Sequence, residues 1–187
     1  AGSGAHFDVD NLTGQRDDFN HVIETVKKTV NKYQWIFIGA FPNGLRHLVQ
    51  QGKIEFHPWT HLYEYPRLVQ KVRPNVMVAP LIDNVFNRSK SDLKFIEGCA
   101  LGAPAICQDM CTYENAFYKF KSGDDMVDQI DALMKDKTTY MKAVRKGRQY
   151  IETRWLEAPE NLGKYTELYT LPYGDPGREL LNPLNGI

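Results

Sequence analysis

Long apolar runs are missing from this sequence, and no stretch approaches the ~18 residues that a membrane-spanning helix requires. The opening AGSGAHFDVD also lacks the apolar core of a signal peptide. A soluble chain without a membrane span is expected. Net charge is missing too: 23 lysines and arginines balance 23 aspartates and glutamates. That argues against the broad basic surface on which nonspecific duplex binding depends, while leaving room for a local basic pocket. Cysteine is scarce, with only Cys99, Cys107 and Cys111, an odd count without a CxxC pair or zinc-ligand spacing. A reduced, cytoplasmic protein without a metal cofactor is the expectation. There are no internal repeats, and low complexity is confined to a tail rich in proline, glycine and asparagine.

What is present is a regular alternation. DDFNHVIETVKKTVNKY, from Asp17 to Tyr33, spaces Phe19, Val22, Ile23, Val26 and Val30 as one helix face. WIFIGAF, KIEFHPW, PNVMVAPL and PAICQDM read as strands, the third being a continuous apolar run suited to burial on both faces. Helices are predicted in GLRHLVQQG, over Pro66 to Val72, over Phe86 to Gly102, and then over Asp124 to Met134, Thr139 to Trp155 and roughly Glu160 to Leu171. Strands alternating with helices imply an α/β fold, a Rossmann-like parallel sheet with helices on both faces, followed by C-terminal helices. At 187 residues the chain suits one such domain with a short appendage. The opening glycines and His6 suit a phosphate-facing loop, yet no apolar strand precedes them to hold it. The chain is therefore expected to be a fragment, cut just after its first strand.

The stretch FNRSKSDLKFIEGCALGAPAI carries the chemistry. On a single helix, Lys90, Lys94, Glu97 and Leu101 fall along one seam, and Leu93, Ile96 and Ala100 along the adjacent apolar face. Two lysines one turn apart repel, so each is expected to face an anion or a structural partner. Following the best strand, the helix N-terminus points at the crevice above the sheet, where free N–H groups favour an anion. A diphosphate held by Lys90, Ser91 and these N–H groups, with Glu97 accepting from sugar hydroxyls, is one reading. The structural alternative is a solvated pair between Lys94 and Glu97.

The segment PLIDNVFNRSKSDLKFIEGCALGAPAI, with its proline-leucine pair, FN, KS, K, E and closing G-x-P, resembles the donor site of glycosyltransferases of the GT-B architecture. AGSGAHFD resembles the first glycine-rich loop of that family, and Asp109 to Tyr113 its loop after the next strand. The resemblance implies the C-terminal, nucleotide-sugar-binding half of a two-domain enzyme, with residues 1–156 forming the donor domain. Residues 157–187 would be a C-terminal helix and tail packing against an N-terminal domain that carries the acceptor site. By position, Lys90, Ser91, Lys94, Gly2 and Ser3 would bind the diphosphate; Glu97, Asn87 and His6 the ribose or sugar; and Trp59 the base. No catalytic residue is assigned. Ser89 stands where many retaining members carry a second glutamate, so the anomeric outcome stays open. Fixed cations and helix N–H groups would stabilise the departing diphosphate in the place of a metal.

Other candidates have simpler readings. His57 and His61 share a metal-pair spacing, but Pro58 between them opposes a helix. His6 suits either a donor contact or a loop cap. Trp59, Tyr113 and Tyr118 suit either core packing or stacking on a base. Cys107 and Cys111 read as buried small hydrophobes. Two rival functions stand beside glycosyl transfer: a non-catalytic binding or assembly module, as in a viral or multiprotein particle, and a sugar-nucleotide epimerase of related architecture.

Overall fold

The computed structural model describes residues 18–156. Contacts divide the chain into two units, Ala1–Arg148 and Gln149–Ile187. Gly2, Ser3 and His6 lie outside the described residues, as do residues 157–187.

In the first unit, β1 (Trp35–Gly39) runs parallel to β2 (Ile54–Pro58), with Trp35 opposite Ile54 and Gly39 opposite Pro58. A second sheet has the order β3 (Met77–Ala79), β4 (Ala105–Gln108), β5 (Tyr118–Phe120), again all parallel. Helix α1 (Ile23–Thr29) precedes β1, α2 (Arg46–Gln50) joins β1 to β2, and α3 (Tyr65–Val72) leads into β3. Between β3 and β4 lie α4 (Val85–Arg88) and α5 (Leu93–Leu101), while α6 (Gly123–Lys135) and α7 (Lys137–Ile151) follow β5. The described part of the second unit holds the end of α7 and a π-helical turn, Glu152–Leu156.

The α/β class with parallel strands is thus present, and the four expected strands form. The expected single sheet is instead two small ones, because β1 and β3 each have a hydrogen-bonded neighbour on one side only among the described residues. Strand β5 was not expected from the sequence, since YKF carries a lysine between its two apolar positions and is only three residues long.

One apolar cluster nevertheless spans both sheets. Val22 and Val26 at α1, Phe37 and Ile54 of β1 and β2, Ile106 and Phe120 of β4 and β5, and Met126 and Ile130 of α6 are all buried in it. Two polar groups inside this region satisfy each other: the Trp35 indole N–H donates to Thr29 Oγ1 at 3.0 Å, and that hydroxyl donates to the Thr25 carbonyl at 2.7 Å. Successive residues on a strand face opposite ways. Accordingly Ile106 enters the cluster, while its neighbour Ala105 faces Gly98 of α5. Strand β4 is covered on both faces.

The α5–β4 contact is as close as backbone allows. A Cβ on Gly98 would lie 2.7 Å from the Ala103 carbonyl oxygen and 2.8 Å from Ala105 Cβ. Helix α5 then ends at Gly102, whose φ of 68° is left-handed, and its N–H caps the Cys99 and Gly98 carbonyls. Gly98→Ala is expected to destabilise the chain by roughly 1 to 3 kcal/mol through overpacking, despite alanine's better helix propensity. A urea midpoint unchanged or raised by this substitution would contradict the packing described.

Candidate functional site

The helix expected over Phe86 to Gly102 is interrupted. Asn84 caps α4 by accepting from the Asn87 N–H at 2.8 Å, Ser89 Oγ donates back to the Val85 carbonyl, and residues 89–92 leave the helix before Asp92 begins α5. The run NRSKSD is rich in side chains that compete for backbone hydrogen bonds, which explains the break. Lys90 therefore lies in the link between helices rather than one turn below Lys94. The two lysines are separated by the chain's own course, and each meets its own carboxylate.

The partner of Lys90 is Asp18. Its carboxylate is nearly inaccessible, at 2% exposure. Asp18 Oδ1 accepts from the Ile82 N–H at 3.0 Å and from Asn87 Nδ2 at 2.5 Å, while Oδ2 lies 3.6 Å from Lys90 Nζ. Lys90 Nζ also sits 4.6 Å from the centre of the Phe86 ring. Burial holds the Lys90 ammonium below the usual lysine range, and the Asp18 charge opposes that shift. Asn87 is itself fully buried: its side-chain amide donates also to the Ile82 carbonyl, and its main-chain carbonyl accepts from Thr112 Oγ1 at 2.6 Å. Since Nδ2 meets two acceptors, the amide cannot be reversed, and Oδ1 is left without a donor.

The partner of Lys94 is Glu97. Lys94 Nζ donates to Glu97 Oε2 at 2.7 Å, and Tyr65 at the start of α3 donates its hydroxyl to the same oxygen at 3.2 Å. The pair is not a solvated surface bridge, for the two side chains are only 25% and 20% exposed. Burial, followed by the Glu97 charge, raises the Tyr65 pKa well above the usual phenol range, so the hydroxyl stays a donor. Both bonds converge on Oε2, and no described residue donates to Oε1. Glu97 is a held carboxylate with one acceptor oxygen available.

The remaining candidates scatter. Ser91 is exposed in the same link as Lys90. Trp59 directly follows β2 and is 73% exposed, with Leu62 and Tyr63 beside it at 76% and 79%, so its core-packing reading is overturned. Tyr113 is buried and Tyr118 half-buried. His57 Nε2 meets Glu55 Oε1 at 2.6 Å, and among the described residues no group of three or more histidine, cysteine or acidic side chains is placed to hold a metal. Cys107 is buried as expected, whereas Cys111 is exposed on the 3-10 turn that follows β4.

Sequence reading missed Asp18 and Tyr65. Asp18 looked like one acid among several at a helix start, and Tyr65 like a residue before a first-turn proline. Each acquires its role only through a partner more than 30 positions away. No protein-family model and no curated protein matches the chain.

Asp18→Ala should cost roughly 2 to 4 kcal/mol, because it strips a buried N–H, an amide and an ammonium of one acceptor group. Asp18→Asn, which keeps a carbonyl oxygen for Ile82, should cost less. Equal midpoints for the two variants and the parent in chemical denaturation would refute this anchoring role. Thiol labelling of the folded chain at pH 8 should modify Cys111 rapidly and leave Cys99 and Cys107 slow. Burial pushes the Cys99 thiol up to about 11, and keeps that of Cys107 raised as well. Rapid labelling at all three positions would show that the α5–β4 contact opens readily.

Proposed function

We propose that the chain is the donor-binding half of a GT-B-type glycosyltransferase, a Rossmann-like domain that takes a nucleoside-diphosphate sugar. The observation that carries this reading is the Glu97 carboxylate. Lys94 and Tyr65 fix one of its oxygens, and the other is left to accept from a vicinal diol such as that of a ribose. Support also comes from the link after β3, where Lys90 and Ser91 sit near the carboxyl end of a parallel strand, the edge at which such folds receive ligands. A diphosphate there would share Lys90 with Asp18. In this reading Lys94, expected on the diphosphate, orients Glu97 instead, and Asn87 shapes the link from beneath. Gly2, Ser3 and His6, outside the described residues, stay proposed for the phosphates and sugar on the sequence resemblance alone. Trp59, which follows β2, offers a free aromatic face for the base.

The chemistry asked of these groups is electrostatic. As the sugar departs, charge grows on the nucleoside diphosphate, and a pre-positioned ammonium with a helix N-terminus stabilises it without reorganising. No metal is required in this reading. The acceptor and any catalytic base belong to a second domain, so the chain alone would bind a donor without transferring its sugar. Three free thiols suit a reducing, cytoplasmic setting.

A second reading has its own observation. Trp59, Leu62 and Tyr63, all more than 70% exposed within five residues, form an apolar surface of the kind that binds protein. On that reading the domain is a non-catalytic binding or assembly module.

Calorimetric titration with the diphosphates of uridine, guanosine, adenosine and cytidine, each with and without chelator, separates the two. At least one should bind in the presence of chelator. Lys90→Ala should weaken that binding by roughly 1.5 to 3 kcal/mol, the scale of a charge-assisted hydrogen bond. Glu97→Gln should weaken the nucleotide more than it weakens free pyrophosphate. Absence of binding by all four at millimolar concentration would leave the assembly reading in place, and binding that is lost on chelation would replace the lysine-based account with a metal-based one.

A further inference from the structure

Surface helices usually mix charges of both signs, and α7 does not. Between Asp136 and Glu152 the sequence KTTYMKAVRKGRQYI holds the cations Lys137, Lys142, Arg145, Lys146 and Arg148, and no acid. One side of the helix is used for packing: Gly147 lies against Cys99 of α5, Val144 against Gly102, and the Tyr140 hydroxyl donates to the Asn75 carbonyl. At about 100° per residue the cations then fall on the outward half, and every one of them is exposed.

This arrangement costs the helix stability. Lys142 with Arg145, Lys142 with Lys146, and Arg145 with Arg148 stand three or four positions apart, where like charges repel, and Lys137 opposes the macrodipole at the amino end. Among the described residues no carboxylate is in ion-pairing reach of Lys137, Lys142, Arg145 or Lys146. Asp136, the nearest acid in sequence, is occupied in capping α7, accepting from the Thr138 and Thr139 N–H groups at 3.1 and 2.8 Å. A local rule broken without a compensating contact marks a surface that meets something else.

We infer that the outward face of α7 is where the chain rests on an anionic lipid bilayer. Charge complementarity calls for a polyanion, and the chain has no matching face of its own. On α6, Asp125 accepts from the Lys121 N–H and Asp131 from Lys32, which leaves Asp124 and Asp128 against a larger set of cations. A second copy is thus a poor counterpart. A nucleic acid is another, since the outward face exposes no aromatic ring on which a base could stack. Mobile acidic headgroups, by contrast, gather under cations at any spacing, and Met141, exposed among them, suits the headgroup region better than water. Because the inner side of α7 is committed to α5, the contact is electrostatic and reversible. Asn75 and Gly102 precede β3 and β4, so α7 covers the amino ends of these strands and leaves the edge with Lys90 and Ser91 open. This inference does not rest on the donor-binding reading.

The test is co-sedimentation of the full chain with vesicles of two parts phosphatidylcholine to one part phosphatidylserine, and with pure phosphatidylcholine, at low and high salt. Binding is expected to the mixed vesicles alone, and to be lost at high salt. Lys142→Gln with Arg145→Gln should weaken it roughly 25-fold, about fivefold per cation. Their urea midpoint should stay level or rise, since repulsion is relieved. Lys53→Gln with Lys71→Gln removes the same charge from exposed lysines elsewhere and should change binding by no more than about twofold. Binding to neither vesicle, equal binding to both, equal loss in the control pair, or a lowered midpoint in the α7 variant would overturn the proposal. Tighter binding to a DNA duplex or single-stranded RNA at the same salt would assign the face to nucleic acid instead. Self-association of the parent that Lys142→Glu with Arg145→Glu abolishes would assign it to a second copy.

Discussion

The buried carboxylate of Asp18 is the constraint on which the candidate site depends. A charge with 2% exposure is tolerated only when hydrogen-bonded and paired, and Asp18 has a backbone N–H, an amide and an ammonium within reach. All three belong to the segment between β3 and α5. The residue just before the first helical turn is thereby fastened to the loop that follows the third strand, and the position of Lys90 is set by that fastening. Lys90 is consequently a structural cation first. An anion approaching it would meet a field partly offset by the Asp18 carboxylate 3.6 Å away.

Lys94 poses the complementary case. Its ammonium is spent on Glu97, and the hydroxyl of Tyr65 adds a second donor to the same oxygen. Two donors on one oxygen orient the carboxylate, and fix the α3 and α5 starts to one another. A ligand with paired hydroxyls would gain from that preorganisation, since the ordering cost is met before it arrives. The two lysines, which on a continuous helix would repel, are therefore divided between two tasks by the break at residues 89–92.

Much of the fold was legible from the sequence where the signal was local. WIFIG and VMVA are apolar runs that only burial explains, and Gly102 followed by Pro104 marks a helix end without reference to anything distant. The single helix over Phe86 to Gly102 failed because its apolar spacing outweighed NRSKSD, whose capping side chains decide the local backbone. β5 was missed because three residues with a central lysine carry no period. The pairings of Asp18 with Lys90 and of Tyr65 with Glu97 span 72 and 32 positions, and no spacing rule reaches across such intervals. The split sheet was illegible for another reason: a gap has no residues of its own.

That gap and the candidate site share the same framework. Tyr65, which holds Glu97, also lines the cavity of about 400 Å³ between β1 and β3. The Tyr65 ring is part of that cavity's wall, and the burial that raises its pKa keeps the hydroxyl a donor to Glu97. Lys94 and Glu97 share α5, so their contact is local, whereas the Tyr65 bond reaches across from α3. The bond from Tyr65 therefore ties the orientation of that carboxylate to the packing of α3.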